Sequence, residues 1–126
     1  MTTALWCVLI GIVLPYLWTG LAKSLGRYRP HDNHQPREFL ERLEGPAKRA
    51  HWAQLNSFEA FPAFAAAVLV AQWAHATQVD IDRLAMAWVV ARLAYGAFYV
   101  ADLAVLRSLA WLGGMICVIG LFVIAA

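Results

Sequence analysis

Residues 4–22 read ALWCVLIGIVLPYLWTGLA and contain no charged side chain. A helix of this length can cross the hydrocarbon core of a bilayer, which is about 30 Å thick. Residues 109–126, at the other end of the chain, are uncharged as well. Because a backbone in lipid must satisfy its hydrogen bonds internally, segments of this length are helices. Both ends of the chain therefore predict membrane-spanning helices.

Two more apolar blocks, at about residues 51–75 and 84–103, lie between these ends and contain only a few polar residues. Hydrophobic residues make up 62% of the chain and charged residues 14%, and a soluble domain this small needs more polar surface. A β-barrel is excluded because the apolar residues come in blocks and do not alternate. We expect one all-α domain over residues 1–126, an integral membrane four-helix bundle with helices at about 4–22, 51–75, 84–103 and 108–125.

The long polar connection, residues 23–50, contains most of the basic residues of the chain. We expect it to be a loop with one short helix at residues 37–44, which Pro36 would start and Gly45-Pro46 would end. By the positive-inside rule this loop is cytoplasmic, and both termini lie on the opposite side of the membrane. Arg107, between the last two helices, then also falls on the cytoplasmic side.

Polar residues recur at steps of three or four on two of the predicted helices, so each set shares one helix face. On the second helix the residues at these steps are Arg49, Trp52, Asn56, Glu59 and Ala63. On the third helix they are Trp88, Arg92, Tyr95, Tyr99 and Asp102. A charge at membrane depth costs several kcal/mol, so both faces should contact protein or a polar ligand and not lipid. Two interpretations are open: Glu59 and Arg92 form a buried structural ion pair, or the two faces line a binding site.

Other residues give little indication of chemistry. Cys7 and Cys117 lie in apolar runs and are expected to be buried thiols, with no disulfide or metal framework. His51 and His75 have no second ligand at metal spacing, so no metal site is predicted. The net charge of +2 does not indicate nucleic acid as a partner. Trp6, Trp18, Trp73 and Trp111 are expected at the membrane interface or facing lipid.

Two motifs within the polar faces are recognisable. RAHWAQLNSFEAFP, residues 49–62, contains an arginine, an asparagine, a glutamate three residues later and a proline three residues after that. ARLAYGAFY, residues 91–99, contains an arginine followed by two tyrosines four residues apart. Together they resemble the second-helix and third-helix signatures of the MAPEG family, the membrane-associated proteins of eicosanoid and glutathione metabolism. The resemblance is close over about residues 49–107 and indicates a small bacterial-type member, which we expect in a bacterial inner membrane.

The resemblance implies a left-handed bundle that assembles as a homotrimer, with active sites between neighbouring subunits near the cytoplasmic face. It implies glutathione as the cosubstrate and a lipophilic small molecule as the second substrate. Arg107 is the candidate catalytic residue, because a guanidinium beside the sulfur favours the nucleophilic thiolate. The residues assigned by the motifs to glutathione are Arg49, Gln54, Asn56, Glu59, Arg92, Tyr95 and Tyr99.

The sequence differs from the leukotriene synthases of this family at positions where those enzymes carry arginine residues. Trp52 stands where those enzymes carry an arginine that holds glutathione. The first helix is followed by Lys23 and Arg27, where they have paired arginines. Fewer cations are thus available for the carboxylates of the tripeptide.

Three functions are compatible with these residues. The first is a glutathione-dependent transferase or peroxidase that acts on lipophilic electrophiles. The second is a non-catalytic membrane protein of the same fold, which binds a membrane lipid or another amphiphile between subunits. The third is a small transporter or channel, although tyrosines at helical spacing from Arg92 favour a ligand cleft over a pore.

Overall fold

The computed structural model describes residues 1–126, and the chain forms helices and turns without a strand. The helices are α1 (Thr3–Leu25), α2 (Pro36–Glu41), α3 (Gly45–Trp73), α4 (Gln78–Val100) and α5 (Ala104–Ala125), with a 3-10 turn at Pro30–His34. α1, α3 and α5 are long and apolar enough to cross a membrane. The prediction of an all-α membrane protein is confirmed.

α4 differs from the other long helices because it does not reach the same apolar character. It begins at Gln78, before the predicted start at residue 84, and so includes Asp80, Asp82 and Arg83 in its first two turns. Its 23 residues equal those of α1, which corresponds to a length of about 34 Å. The three charged residues that precede the predicted start therefore belong to the helix.

The polar connection is shorter than predicted because α3 begins at Gly45 and not near residue 51. Gly45 adopts a φ of 56°, a left-handed conformation that glycine reaches without strain. Pro46 follows in the first turn, where a missing N–H costs no hydrogen bond. Gly45-Pro46 therefore opens α3 and does not end the preceding helix. α2 begins at Pro36 as predicted and ends at Glu41.

α3 and α4 form the centre of the bundle. Each of them contacts the other three long helices, whereas α1 packs mainly on α3 and α5 mainly on α4. Phe64 of α3 and Trp88 of α4 stack face to face, with ring centroids 3.7 Å apart, and both are buried. Cys7 and Cys117 belong to the same buried cluster, and both are free thiols, as predicted.

Trp18 of α1 is buried against the other helices, so the prediction that it faces lipid is wrong. It packs on Gly96 of α4, where a Cβ atom would lie only 2.0 Å from the indole ring. Glycine at position 96 thus allows α1 and α4 to approach closely, as helix contacts in membranes require. Trp6 and Trp73, in contrast, are 53% and 85% exposed.

Polar contacts fix the two ends of the bundle. At the end that holds the N-terminus, the Asp82 carboxylate accepts hydrogen bonds from the Ala4 backbone N–H and from Gln78, each 2.8 Å long. A carboxylate in this position also compensates the positive end of the α1 dipole. At the other end, called here the loop end because it holds residues 26–44, Arg49 Nε donates to the Val100 carbonyl over 3.1 Å. α4 is therefore antiparallel to α3, and the two polar faces meet.

Candidate functional site

The centre of the site is a chain of hydrogen bonds between α3 and α4. Arg92 is only 1% exposed, and its Nη2 donates to Asn56 Oδ1 over 2.8 Å. Asn56 Nδ2 in turn donates to Glu59 Oε2 over 3.1 Å. Asn56 thus connects the buried guanidinium to a carboxylate that is exposed.

The direct ion pair between Glu59 and Arg92 is not formed, so that interpretation is wrong in its simple form. All ion pairs of the structure lie elsewhere, at the surface. Asn56 lies one turn before Glu59 on the same face and takes the position between the two charges. Its amide can serve both, because it offers an acceptor oxygen and two N–H donors.

Arg92 has two further features that set it apart. Its Cζ atom lies 4.3 Å from the centroid of the Tyr95 ring, which stabilises a buried cation through the face of the ring. Its Nε is buried and has no hydrogen-bond partner. An unsatisfied buried donor costs roughly 1–3 kcal/mol, so the fold keeps this arginine at some cost in stability.

Arg107 lies on the ring of Tyr99 as Arg92 lies on the ring of Tyr95, and Tyr99 is one helical turn closer to the loop end. Tyr95 and Tyr99 meet edge to face, with centroids 5.6 Å apart. The Arg107 Cζ atom lies 4.5 Å from the centroid of Tyr99. The order along this side of the bundle is thus guanidinium, ring, ring, guanidinium, from the buried Arg92 to the half-buried Arg107.

Two clefts of about 300 Å³ each meet at Asn56 and Glu59. One, called here the apolar cleft, lies between α3, α4 and α5, and its walls include Ala60, Trp88, Arg92, Trp111, Gly114 and Met115. The other, called here the tyrosine cleft, opens nearer the loop end and is lined by Trp52, Leu55, Asn56, Glu59, Tyr95 and Tyr99. The Glu59 carboxylate therefore forms part of the wall of both the apolar cleft and the tyrosine cleft.

The structure gathers five of the predicted site residues at these clefts, namely Asn56, Glu59, Arg92, Tyr95 and Tyr99. Arg107 joins them through its contact with Tyr99. Gln54 does not join them: it contacts His51 Nδ1 at 3.0 Å and lines a groove beside α2. Arg49 holds the end of α4 and lies outside both clefts.

Asp102 does not continue the polar face of α4. The helix ends at Val100, and Asp102 follows in a left-handed conformation with a φ of 62°. Its neighbours in the surface groove at this end include Arg49 and Trp52. The polar face of α4 therefore ends at Tyr99.

Sequence reasoning missed the contribution of α5 to the apolar cleft. Trp111 and Gly114 form part of its wall, and a Cβ atom on Gly114 would lie 3.7 Å from Arg92 Cδ. α5 has no charged residue after Arg107, so its sequence contains no periodic polar signal that could have identified this face. No group of three metal-ligating side chains occurs in the structure.

The arrangement combines an exposed carboxylate, tyrosine rings backed by guanidinium groups and an adjoining apolar compartment. A comparison with curated protein sequences gives no match. The sequence profile of the MAPEG family, in contrast, matches residues 3–126, which is nearly the whole chain. The chain therefore belongs to the MAPEG family, which includes glutathione transferases and related membrane proteins.

Proposed function

We propose that the protein is a glutathione-dependent transferase or peroxidase that acts on lipophilic electrophiles in the membrane. The observation that carries this proposal is the contact of the Arg107 guanidinium with the face of Tyr99, a residue that lines the tyrosine cleft. A free cysteine thiol has a pKa of about 8.5 and is mostly protonated at neutral pH. A guanidinium close to the sulfur favours the thiolate, which is the nucleophile.

The other residues of the tyrosine cleft have complementary tasks in this proposal. The Glu59 carboxylate receives the ammonium group of glutathione through a charge-assisted hydrogen bond. Asn56 and the hydroxyl groups of Tyr95 and Tyr99 orient the peptide. The electrophile reaches the sulfur from the apolar cleft, which shares Asn56 and Glu59 with the tyrosine cleft.

We further propose that α4 crosses the membrane as a fourth span, with the loop end on the cytoplasmic side of a bacterial inner membrane. α4 is antiparallel to α3 and is followed after a short turn by α5, so it has to return across the thickness that these helices span. Most basic residues lie at the loop end, in agreement with the positive-inside rule.

This orientation predicts which engineered cysteines a membrane-impermeant maleimide can reach. A cysteine at Asp80 should react in intact cells, because the start of α4 then faces the outside. A cysteine at His34, which is exposed in the loop, should react only after the cells are opened. The unaltered protein is the control, since its own two cysteines are buried. Reaction of the Asp80→Cys variant only after opening would mean that the orientation is inverted.

We also propose a homotrimer with three equivalent sites between subunits. Gln54 lies on a different face of α3 from Asn56 and Glu59, beside α2. In this proposal the Gln54 side chain that meets a peptide in the tyrosine cleft comes from a second copy. Apolar side chains exposed along α1 and α5, such as Val13, Ile116 and Ile119, provide surface for both lipid and neighbouring subunits.

A titration of the detergent-solubilised protein with glutathione tests the function and the assembly together. The ultraviolet absorbance of the thiolate should rise with glutathione and saturate. Native mass spectrometry of the same sample should give the mass of three chains with up to three bound glutathione molecules.

The control for this titration is S-methylglutathione, which occupies the site without an ionisable thiol and should give no absorbance change. Absence of binding at millimolar glutathione would overturn the enzyme proposal. The mass of a single chain would overturn the trimer.

A second candidate function is a non-catalytic protein that binds a lipid or another amphiphile between subunits. The apolar cleft favours it, because most of its lining is hydrophobic and a single guanidinium, Arg92, lies in its wall. A protein of this kind would bind an amphiphile in the same titration conditions but would give no thiolate signal.

A further inference from the structure

Arg92 has an unpaired donor along the wall of the apolar cleft. Its Nε is buried and has no hydrogen-bond partner. Cδ, the atom bonded to Nε, lies 3.7 Å from the point where a Cβ atom on Gly114 would stand. At the other end of the guanidinium, Nη2 donates to Asn56. Gly114 and Asn56 both line this cleft, so the unpaired N–H lies between two points of its wall.

The burial of this donor does not depend on assembly. Arg92 is almost completely covered by its own chain. A side chain of a second copy could reach Nε only by entering the apolar cleft between α3, α4 and α5. Any partner of Nε therefore has to occupy this cleft.

The size and lining of the apolar cleft indicate what such a partner is attached to. The cleft has a volume of about 300 Å³, whereas a water molecule in the liquid takes about 30 Å³. Most of its lining residues are hydrophobic, and two of them, Trp111 and Met115, are also exposed at the surface of the bundle. A single water would leave most of this apolar space without contact. An alkyl chain that carries an acceptor would fill it.

The charges in the wall indicate that the acceptor is neutral. Arg92 and Glu59 are the two charged residues of the apolar cleft, and Asn56 connects them through its amide. One positive and one negative side chain thus balance each other. A carboxylate in the cleft would lie close to the Glu59 carboxylate, and like charges in low dielectric repel strongly.

The groups beside Gly114 favour a carbonyl oxygen over a hydroxyl group. Trp88 Nε1 lies 3.8 Å from the same Cβ point as Arg92 Cδ. An indole N–H and a guanidinium N–H can only donate. A carbonyl oxygen offers lone pairs and no proton. A hydroxyl group would add a further donor, which costs free energy if it stays without an acceptor in apolar surroundings.

We propose that the apolar cleft binds a lipophilic carbonyl compound, whose oxygen accepts a hydrogen bond from Arg92 Nε. The inference rests on the proposed function in naming this compound a substrate, because the electrophile of that reaction enters from the same cleft. The oxygen lies beside Gly114, and the alkyl chain lies against Trp111 and Met115.

The test uses three unreactive probes of similar length and no glutathione: 2-decanone, its isostere 2-methyl-1-decene, and ionised decanoate. Equilibrium dialysis of the detergent-solubilised protein against the same detergent gives each dissociation constant, referred to the mole fraction of the probe in the micelles. The ketone should bind about tenfold more tightly than the alkene, equal to about 1.4 kcal/mol, because only the ketone gives Arg92 Nε an acceptor. Decanoate should bind more weakly than the ketone.

An infrared measurement reports the hydrogen bond directly. The carbonyl stretch of 2-decanone labelled with carbon-13 at the carbonyl should lie at a lower frequency on the protein than in micelles, as expected for a carbonyl that accepts a hydrogen bond.

Gly114→Val and Gly113→Val are the matched variants. A Cβ atom at position 114 fits at ordinary contact distance, and the two methyl groups of valine then take space beside Arg92. This variant should lose both the preference for the ketone and the infrared shift. A Cβ atom at position 113 meets no atom within 4 Å, so Gly113→Val should keep both. Should Gly114→Val fail to assemble, Gly114→Ala takes its place.

The outcomes separate this inference from the proposed function. Equal binding of ketone and alkene by the unaltered protein, or tighter binding of decanoate, would overturn the inference whatever the glutathione titration gives. A preference that persists in Gly114→Val would mean that the oxygen binds elsewhere, which also overturns it. A ketone preference that depends on Gly114, found together with no binding of glutathione, would overturn the enzyme proposal and leave the carbonyl site in place.

Discussion

Replacement of Arg92 by alanine should destabilise the protein by about 2–5 kcal/mol, the usual cost of truncating a large buried side chain to alanine. The side chain is 1% exposed and contacts both Asn56 and Tyr95. Its removal leaves the amide oxygen of Asn56 without its donor and opens a cavity beside Trp88. Thermal unfolding in detergent, followed by circular dichroism, should show a large fall in the midpoint, or the variant should fail to assemble.

Two control variants test whether the loss of stability comes from the buried position of Arg92 and from its charge. Arg83→Ala removes an exposed arginine whose ion pair with Asp80, at 3.7 Å, lies at the surface, and such pairs contribute about 0–1 kcal/mol. Arg92→Met keeps most of the side-chain volume without the charge, and it separates the loss of packing from the loss of the hydrogen bond. An Arg92→Ala variant that unfolds at the same temperature as the unaltered protein would mean that the fold does not depend on this buried cluster.

Arg107→Ala should have the opposite profile, with assembly intact and the thiolate signal strongly reduced. Arg107 is only half-buried at the loop end, so its removal leaves no buried charge without a partner and should disturb the fold little. If its guanidinium lowers the pKa of the bound thiol, each unit lost reduces the thiolate fraction at neutral pH about tenfold. The measurement is the thiolate absorbance at saturating glutathione, in samples matched for assembly by native mass spectrometry.

Arg107→Lys is the matched variant for this prediction. It keeps the charge but lacks the planar group that lies on Tyr99, so it should retain part of the thiolate signal. An unchanged signal in Arg107→Ala would leave Arg107 with the role of a membrane anchor. Arg49, Arg27 or Tyr99 would then become the candidates for activation of the thiol.

The core of the candidate site could be predicted from the sequence because it depends on helical spacing alone. Asn56 and Glu59 are three residues apart, and Arg92, Tyr95 and Tyr99 follow at steps of three and four, so each set must share a helix face. The cost of polar groups in lipid then requires the two faces to meet. Both arguments use only the local sequence and the solvent, and no knowledge of the packing is needed.

The features that were missed depend on contacts between distant segments. Gln54 was grouped with Asn56 by its place in a motif, yet two residues along a helix correspond to a different face. The start of α4 was placed at about residue 84, where the apolar block begins, whereas the helix already includes Asp82, whose carboxylate binds the first turn of α1. Trp18 is buried only because glycine at position 96 leaves room for its ring.

The composition of α4 has a consequence for how the chain enters the bilayer during synthesis. Among the four long helices α4, which contains Asp82 and Arg92, is the one without the apolar character of a membrane span. The partners of these two charges are the first turn of α1 and Asn56 of α3. Both partners precede α4 in the chain and leave the ribosome before it. The groups that bind Asp82 and Arg92 are thus already synthesised when α4 enters the bilayer, and α1 and α3 can stabilise its charges as it inserts.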